Sequence, residues 1–500
     1  MRNKSFYFLL SFIVFSVVSS CRKNAQVITD SSAKIAFSAD TIMFDTVFTT
    51  VGSATQNFVI YNHNSQPINV SSIRLATGAG SYYRLNVDGS PGKSFTNVQI
   101  GPNDSLWVFI EVTIDPNNKT TPFILNDSIL FMTNGNLQWV DLVAFGQNAH
   151  FHKPAPNTGS AFFVNCNDTW TNDLPHVVYG YALVDSNCTL TINQGVSVYF
   201  HPGSGLIVLS DGTLKVNGVR DAPVSFLNDR LGVAYTEVPG QWDRIWISSL
   251  TPTNLIGGKQ IGPAAKNCTI NYAIIKNAFV GLQVDTVYDG NPNTVTLQLD
   301  NSIIENAAGV ALLGQGSTIR CTNSIFANCG QYVAALAYGG DYNFRHCTFA
   351  NYWNQGSSNR TTPSIYINNY FTSGSTTYVR PIRNAYFGNC IVYGDLNGEI
   401  GLDSAKTGGS NFNFMFDHSL ISINDSISTA NPAHFKSIIT GEDPMFKDPT
   451  NNNYLQAITC AGNDQGDPNI TNAPPKINLD LLGNMRIQGA GPDMGPYEVK

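Results

Sequence analysis

The sequence predicts an all-β chain in two parts, an N-terminal β-sandwich and then a parallel β-solenoid. Three observations predict it. Charged residues make up only 13% of the 500 residues, while 42% are hydrophobic and 43 are glycine; that balance suits packed strands joined by many turns, not disorder. Between residues 34 and 150, short runs alternate apolar and polar side chains, as half-buried strands do. Beyond residue 268 a six-residue motif returns at intervals near 22 residues, the mark of stacked equivalent turns.

The chain opens with MRNKSFYFLLSFIVFSVVSSC. Arg2 and Lys4 precede an apolar run from Phe6 to Val18, and small residues Ser19 and Ser20 lead into Cys21. This is the layout of an export signal, and the run is too short for a permanent membrane span. Val18-Ser19-Ser20-Cys21 resembles the lipobox of bacterial lipoproteins. That resemblance implies a signal peptide over 1–20, a lipid on Cys21 and a tether over 21–33. The expected location is the bacterial cell envelope, at the outer membrane, with the membrane as a partner through the lipid. Residues 22–26 hold no acidic cluster that would signal surface export, so the leaflet stays open. The net charge is −7 and basic residues cluster only at Arg22-Lys23, which argues against nucleic acid as a partner.

In 34–150 the alternating runs fall at 46–50, 57–61, 68–75, 106–114, 128–132 and 138–145. Turn-forming residues separate them, among them Gly101 to Asp104 and Asn134-Gly135-Asn136. The pattern resembles an Ig-like β-sandwich, without the antibody-type disulfide because no cysteine lies between 22 and 165. Such modules act as spacers or docking units. A linker is expected at 152–158, where Pro154 and Pro156 interrupt the pattern.

The solenoid is expected over 158–437. It opens with LTINQGVSVYF at 190–200, GLIVL at 205–209, GTLKVNG at 212–218, PVSF at 223–226 and QWDRIWI at 241–247. Six later segments align: YAIIKN from 272, NSIIEN from 301, NSIFAN from 323, HCTFAN from 346, NCIVYG from 389 and HSLISI from 418. Their starts lie 29, 22, 23, 43 and 29 residues apart, the 43 reading as two turns. Two residues before each start stand Ile270, Leu299, Cys321, Phe344, Phe387 and Phe416. Two earlier still stand Cys268, Leu297, Ile319, Tyr342, Ala385 and Phe414. That period of two is one strand with an inward face. One residue after each start is small, as a bend requires, and the last position holds Asn in four segments, suited to left-handed turns and to amides stacked along a ladder. These blocks resemble the right-handed parallel β-helix of the pectate-lyase-like superfamily.

The end of the chain reads EDPMFKDP from 442, DLLGN from 480 and GPDMGPYE from 491. It resembles the closing segment of secreted β-helix proteins with a choice-of-anchor type C-terminus, although Met494 and Pro496 depart from that pattern. Residues 438–500 are read as a cap over the last rung, shielding unpaired strand edges.

Eight cysteines follow Cys21. Export permits disulfides, and Cys166–Cys188 is the pair to test first; buried free thiols are an equal reading for several others. No spacing suggests a zinc site. His150 and His152 share a strand side but lack an evident third ligand.

The β-helix resemblance implies polysaccharide as the ligand class, bound or cut. The reading preferred here is binding of a glycan or cell-envelope protein without catalysis. The alternative is a polysaccharide lyase, epimerase or glycoside hydrolase acting on an acidic polysaccharide, and Ca²⁺ enters only there. Catalytic candidates are Asp285 and Asp289 in a long loop, and Asp300, Arg345 and Asp417 in one column on separated rungs. Lys276 and Glu305 read as a surface ion pair, and His346 and His418 as ladder members. Aromatic candidates for sugar stacking are Trp242, Trp246, Tyr352, Trp353, Tyr366, Tyr370 and Tyr393.

Overall fold

A computed structural model describes residues 26–116, 123–251, 265–285, 294–353, 360–405 and 411–499. The leader, Cys21 and Asp289 lie outside the described residues. The chain divides into two compact units, 1–147 and 148–500.

Among its described residues the first unit is a β-sandwich of two five-stranded sheets. One sheet, antiparallel throughout, orders Ala36–Phe37, Gln56–Asn62, Asp104–Val112, Tyr83–Val87 and Ser90–Gly92. The other orders Thr41–Phe48, Asn136–Gln147, Phe123–Thr133, Ile68–Leu75 and Ser94–Ile100, with only the first pair parallel. Strict alternation builds the core: Leu106, Val108, Ile110 and Val112 are buried with Ile129, Phe131, Val140, Leu142 and Ala144. The hairpin at Asn134-Gly135 has φ of 50° and 80° at its two turn residues, the conformation Asn-Gly favours between twisted strands.

The second unit is a parallel β-helix. Successive turns of chain add strands to three sheets, which hold ten, ten and nine strands among the described residues. The first face runs from Thr169–Trp170 to Phe435–Lys436, the second from His150–His152 to Leu420–Ile421, and the third from Ala161–Phe163 to Ile400–Asp403. His150–His152 already pairs with His176–Val178. The stretch 152–158, read from sequence as a linker between units, therefore lies inside the solenoid's first turn. Its prolines shape a bend between two faces.

The repeat register holds. Ile270, Leu299, Cys321, Phe344, Phe387 and Phe416 pair in succession on the first face, and all are buried. Their rings stack at 5.2 Å for Phe344–Phe387 and 4.6 Å for Phe387–Phe416. The next residue but one, at Tyr272, Asn301, Asn323, His346, Asn389 and His418, sits at φ between 46° and 54°. One left-handed residue turns the chain from the first face to the second, a conformation Asn adopts with least strain. The small residue after it closes the bend: Ser302 Oγ accepts from Ala273 N, and Ser324 Oγ from Ser302 N, both at 3.1 Å. At the second bend, Asn306 Nδ2 donates to Asn277 Oδ1 at 2.6 Å and Asn277 Nδ2 to Asn228 Oδ1 at 2.8 Å. Asn328 occupies the equivalent turn one rung on, but its amide bonds Asn452.

The C-terminal segment packs along the flank of the coil, not over the last rung as the sequence reading placed it. The cause is the second face, whose outward positions Ile303, Ile325, Ala327 and Ala350 are also apolar. Tyr454, Leu481, Phe446 and Tyr497 cover them, and Met494 and Cys460 cover Ile391 and Leu420. Polar clamps fix the cover. Arg345 donates to the carbonyls of Ile470, Ala473 and Pro475, and the buried Arg486 pairs with Glu498 at 3.1 Å.

Cys166 and Cys188 form a disulfide, 22 residues apart. That is one rung, since Thr169 pairs with Thr191. The six other cysteines of the described residues are free and buried.

Candidate functional site

The third face positions the strongest cluster of polar and aromatic side chains. Its inward column is Leu206, Ile245, Leu282, Leu312, Ala334 and Ile365, all buried. Alternation then turns the following residues outward: Ile207, Trp246, Gln283, Leu313, Ala335 and Tyr366.

A hydrogen-bonded chain runs across the early rungs of this face. Tyr181 Oη donates to Asp243 Oδ2 at 2.9 Å. Arg244 holds the Asp243 carboxylate through Nε and Nη2 and donates from Nη1 to Gln283 Oε1 at 2.5 Å. Gln283 Nε2 reaches Asp285 Oδ2 at 3.5 Å, and Trp246 Nε1 donates to Asp285 Oδ1 at 2.5 Å. Burial pushes the Asp285 carboxyl up to about 7, against the opposing pull of Trp246, Gln283 and Arg244. A carboxyl raised this far is poised for proton transfer near neutral pH.

A second cluster lies further along the same face. Tyr366 and Tyr370 both donate their hydroxyls to Asp403 Oδ2 at 2.8 Å, and Tyr332 stacks on Tyr366 with centroids 5.2 Å apart. Beside it, Tyr332, Trp353, Gln331 and Thr362 line a cleft of about 480 Å³ with Arg360. Arg360 is a rigid wall, because both terminal nitrogens grip the buried Glu399 at 2.8 and 2.6 Å. Trp246 and Tyr366 are four rungs apart in one column, or about 19 Å at the strand spacing. Between them stand Gln283, Leu313 and Ala335. The turns leaving the face there, 316–317 and 338–339, are two residues each, against a longer connection at 369–381.

The other sequence candidates fall elsewhere. Trp242 is core, fully buried and stacked on Phe200 at 4.4 Å. Tyr352 packs under Phe446 and Tyr454, and Tyr393 lies in the cluster with Met494, so both support the C-terminal cover. Asp300, Arg345 and Asp417 share a column, as the register requires, but they do not converge. Asp300 accepts from Gln298 and Thr322, Arg345 clamps the C-terminal segment, and Asp417 bonds Tyr386, His418 and Lys436. Lys276 bridges Glu305 at 3.2 Å and Glu237 at 2.6 Å. His346 joins the ladder through Asn389. Asp243, Arg244 and Gln283 escaped sequence reasoning, because only the rung register brings them together.

Among the described residues, no group of three or more His, Cys, Asp or Glu is placed to hold a metal ion. His150 pairs with Asp173. His152 Nε2 lies 2.9 Å from His176 Nδ1, and His176 Nε2 lies 3.0 Å from Thr171 O. A carbonyl only accepts, so His176 carries its proton on Nε2 and His152 donates to Nδ1.

Fold and face together define an all-β protein whose parallel β-helix carries a polar and aromatic outer surface. No protein family and no curated protein matches the sequence. Among solved structures the chain is similar to the catalytic unit of a GH87 α-1,3-glucanase from Streptomyces thermodiastaticus strain HF3-3, at 11% identity over 77% of this chain and 75% of that one, with a TM-score of 0.29. It is also similar to the surface protein and adhesin PfbA of Streptococcus pneumoniae, at 10% identity over 57% of this chain and 84% of that one, TM-score 0.22. A family 123 glycoside hydrolase from Clostridium perfringens matches at 15% identity and a TM-score of 0.17 over 23% of this chain, which spans only 26% of that hydrolase. None of these likenesses bears on activity.

Proposed function

We propose that this is an exported lipoprotein, anchored through Cys21 to the cell envelope, that binds glycan chains on the third face of its β-helix. The Ig-like reading of the sandwich belongs to this proposal, as a spacer near the membrane. The observation that carries the binding reading is the outward column with Trp246 at one end and Tyr366 at the other, flanked by hydrogen-bonding side chains on both clusters. Aromatic faces stack on sugar rings, and amides and carboxyls bond their hydroxyls. The test is binding of the purified chain to a panel of neutral and uronic-acid polysaccharides. Trp246→Ala and Tyr366→Ala should each weaken the best ligand roughly tenfold, about 1.4 kcal/mol. Unchanged binding in both variants would place the ligand elsewhere.

One observation favours a catalytic reading of the same site. Asp285, with a carboxyl raised to about 7, suits a general acid, and Asp243 is linked to it through Arg244 and Gln283. New reducing or unsaturated ends, abolished by Asp285→Asn while binding persists, would establish turnover.

A further inference from the structure

One hairpin of the sandwich exposes an apolar surface on its outer side, while its inner side, through Asn136 and Gln138, fastens the N-terminal segment. In the hairpin of Phe123–Thr133 and Asn136–Gln147, alternate residues face away from the core. Three of them near the turn are large and exposed: Trp139 at 56%, Leu137 at 51% and Met132 at 36%. Leu137 stands opposite Met132, and Trp139 opposite Leu130. Arg74 stands opposite Leu130 on the neighbouring strand. Patches of this kind mark interaction surfaces.

The same hairpin holds the start of the described chain. Asn136 Nδ2 donates to Ser31 O at 2.7 Å, Asn134 Nδ2 to Ala33 O at 3.1 Å and Gln138 Nε2 to Ile35 O at 2.8 Å. Ile28 bridges to Ile68, at the start of the adjacent strand. The first described residue is Gln26, five residues after Cys21. Five residues span at most about 18 Å when fully extended. A lipid on Cys21 would therefore hold Gln26 within about 18 Å of the bilayer surface.

We propose that the face formed by Met132, Leu137 and Trp139 docks into the interface of the bilayer that holds the Cys21 lipid. Tryptophan favours the headgroup level, where its ring is apolar and its N–H stays wet. Arg22 and Lys23, next to Cys21 in sequence, and Arg74, beside Leu130 on the apolar face, suit anionic headgroups. Docking fixes the sandwich at the membrane as well as tethering it. The proposal rests on the anchoring reading given above. The other exposed aromatic pair, Trp107 and Phe109, stacked at 6.2 Å, projects from the opposite sheet and serves as the control.

The test uses the full acylated protein in vesicles of three parts phosphatidylethanolamine to one part phosphatidylglycerol, with bromine on the acyl chains as a contact quencher. Tryptophan emission of the wild type should be quenched, and most of that quenching should vanish in Trp139→Phe but persist in Trp107→Phe. In the Cys21→Ser chain, flotation with these vesicles should be weak and should be lost on Leu137→Ser. Mass spectrometry of the N-terminal peptide reads the anchor separately. An unmodified Cys21 overturns the anchor and this docking with it; an acylated chain whose quenching ignores Trp139 overturns the docking alone. A Trp139-dependent dimer in light scattering, without quenching, also overturns it in favour of a second copy of the chain.

Discussion

Trp246 and Asp285, 39 residues apart in sequence, meet on adjacent rungs of the third face, where the indole N–H donates to the carboxyl at 2.5 Å. The pair joins an aromatic surface to a carboxyl that burial raises from 3.8 to about 7. The folded chain thus holds a proton that the unfolded chain has released. The protonated group's contribution is fully present below pH 3.8 and is lost as pH rises through about 7. Between pH 4 and pH 7.5 the wild type should lose stability relative to Asp285→Asn, by at most about 4 kcal/mol. Denaturant midpoints of both proteins at the two pH values measure this. A constant difference would show that the carboxyl is charged throughout.

His152 has the opposite sign. Burial, then the neighbouring His176 and His150, lowers its pKa from 6.5 to about 4. Its contribution is present above pH 6.5 and is lost as pH falls through about 4. The first turns of the solenoid should loosen in mild acid, and His152→Gln should remove part of that dependence. Amide exchange of residues 150–200 at pH 7 and pH 4.5 reads it directly.

The amide ladder has a local energetic consequence. Asn306→Leu leaves Asn277 Oδ1 without its donor and puts a branched side chain at φ 58°. The expected loss is roughly 1–3 kcal/mol, seen as a lowered denaturant midpoint. A melt within error of the wild type would mean that the ladder carries no stability.

Cys166 and Cys188 staple two successive rungs at the start of the solenoid. Replacing both with serine should cost about 2–4 kcal/mol. Early proteolysis of the variant should appear between residues 150 and 200, and cleavage only after residue 430 would contradict this.

Much of the β-helix was legible because a solenoid repeats its solution: the apolar columns, the small bend residues and the Asn turns all follow from one rung geometry. The site was legible in part. Plain alternation puts Trp242 and Trp246 on one side of a strand, but an irregularity between Arg244 and Ile245 shifts the register. Trp242 therefore enters the core while Trp246 faces out. Tyr352 and Tyr393 read as exposed stacking residues, because strand periodicity gives no hint of where the C-terminal segment will lie. The same blindness hid the role of Arg345, whose acceptors are carbonyls 125 to 130 residues away. Pro154 and Pro156 suggested a domain linker, because a bend inside a rung and a bend between units call for the same residues.

The most direct test of the glycan-binding account is calorimetric titration of the purified chain with oligosaccharides of the best-binding polysaccharide, from two to six sugars long. Trp246 and Tyr366 are separated by about 19 Å along the rungs, a distance only a chain of several sugars can bridge. Affinity should rise with length up to about four sugars and then level off, and either Trp246→Ala or Tyr366→Ala should abolish the dependence on length. Affinity that is independent of length, or a length dependence that survives both substitutions, would contradict binding along this face.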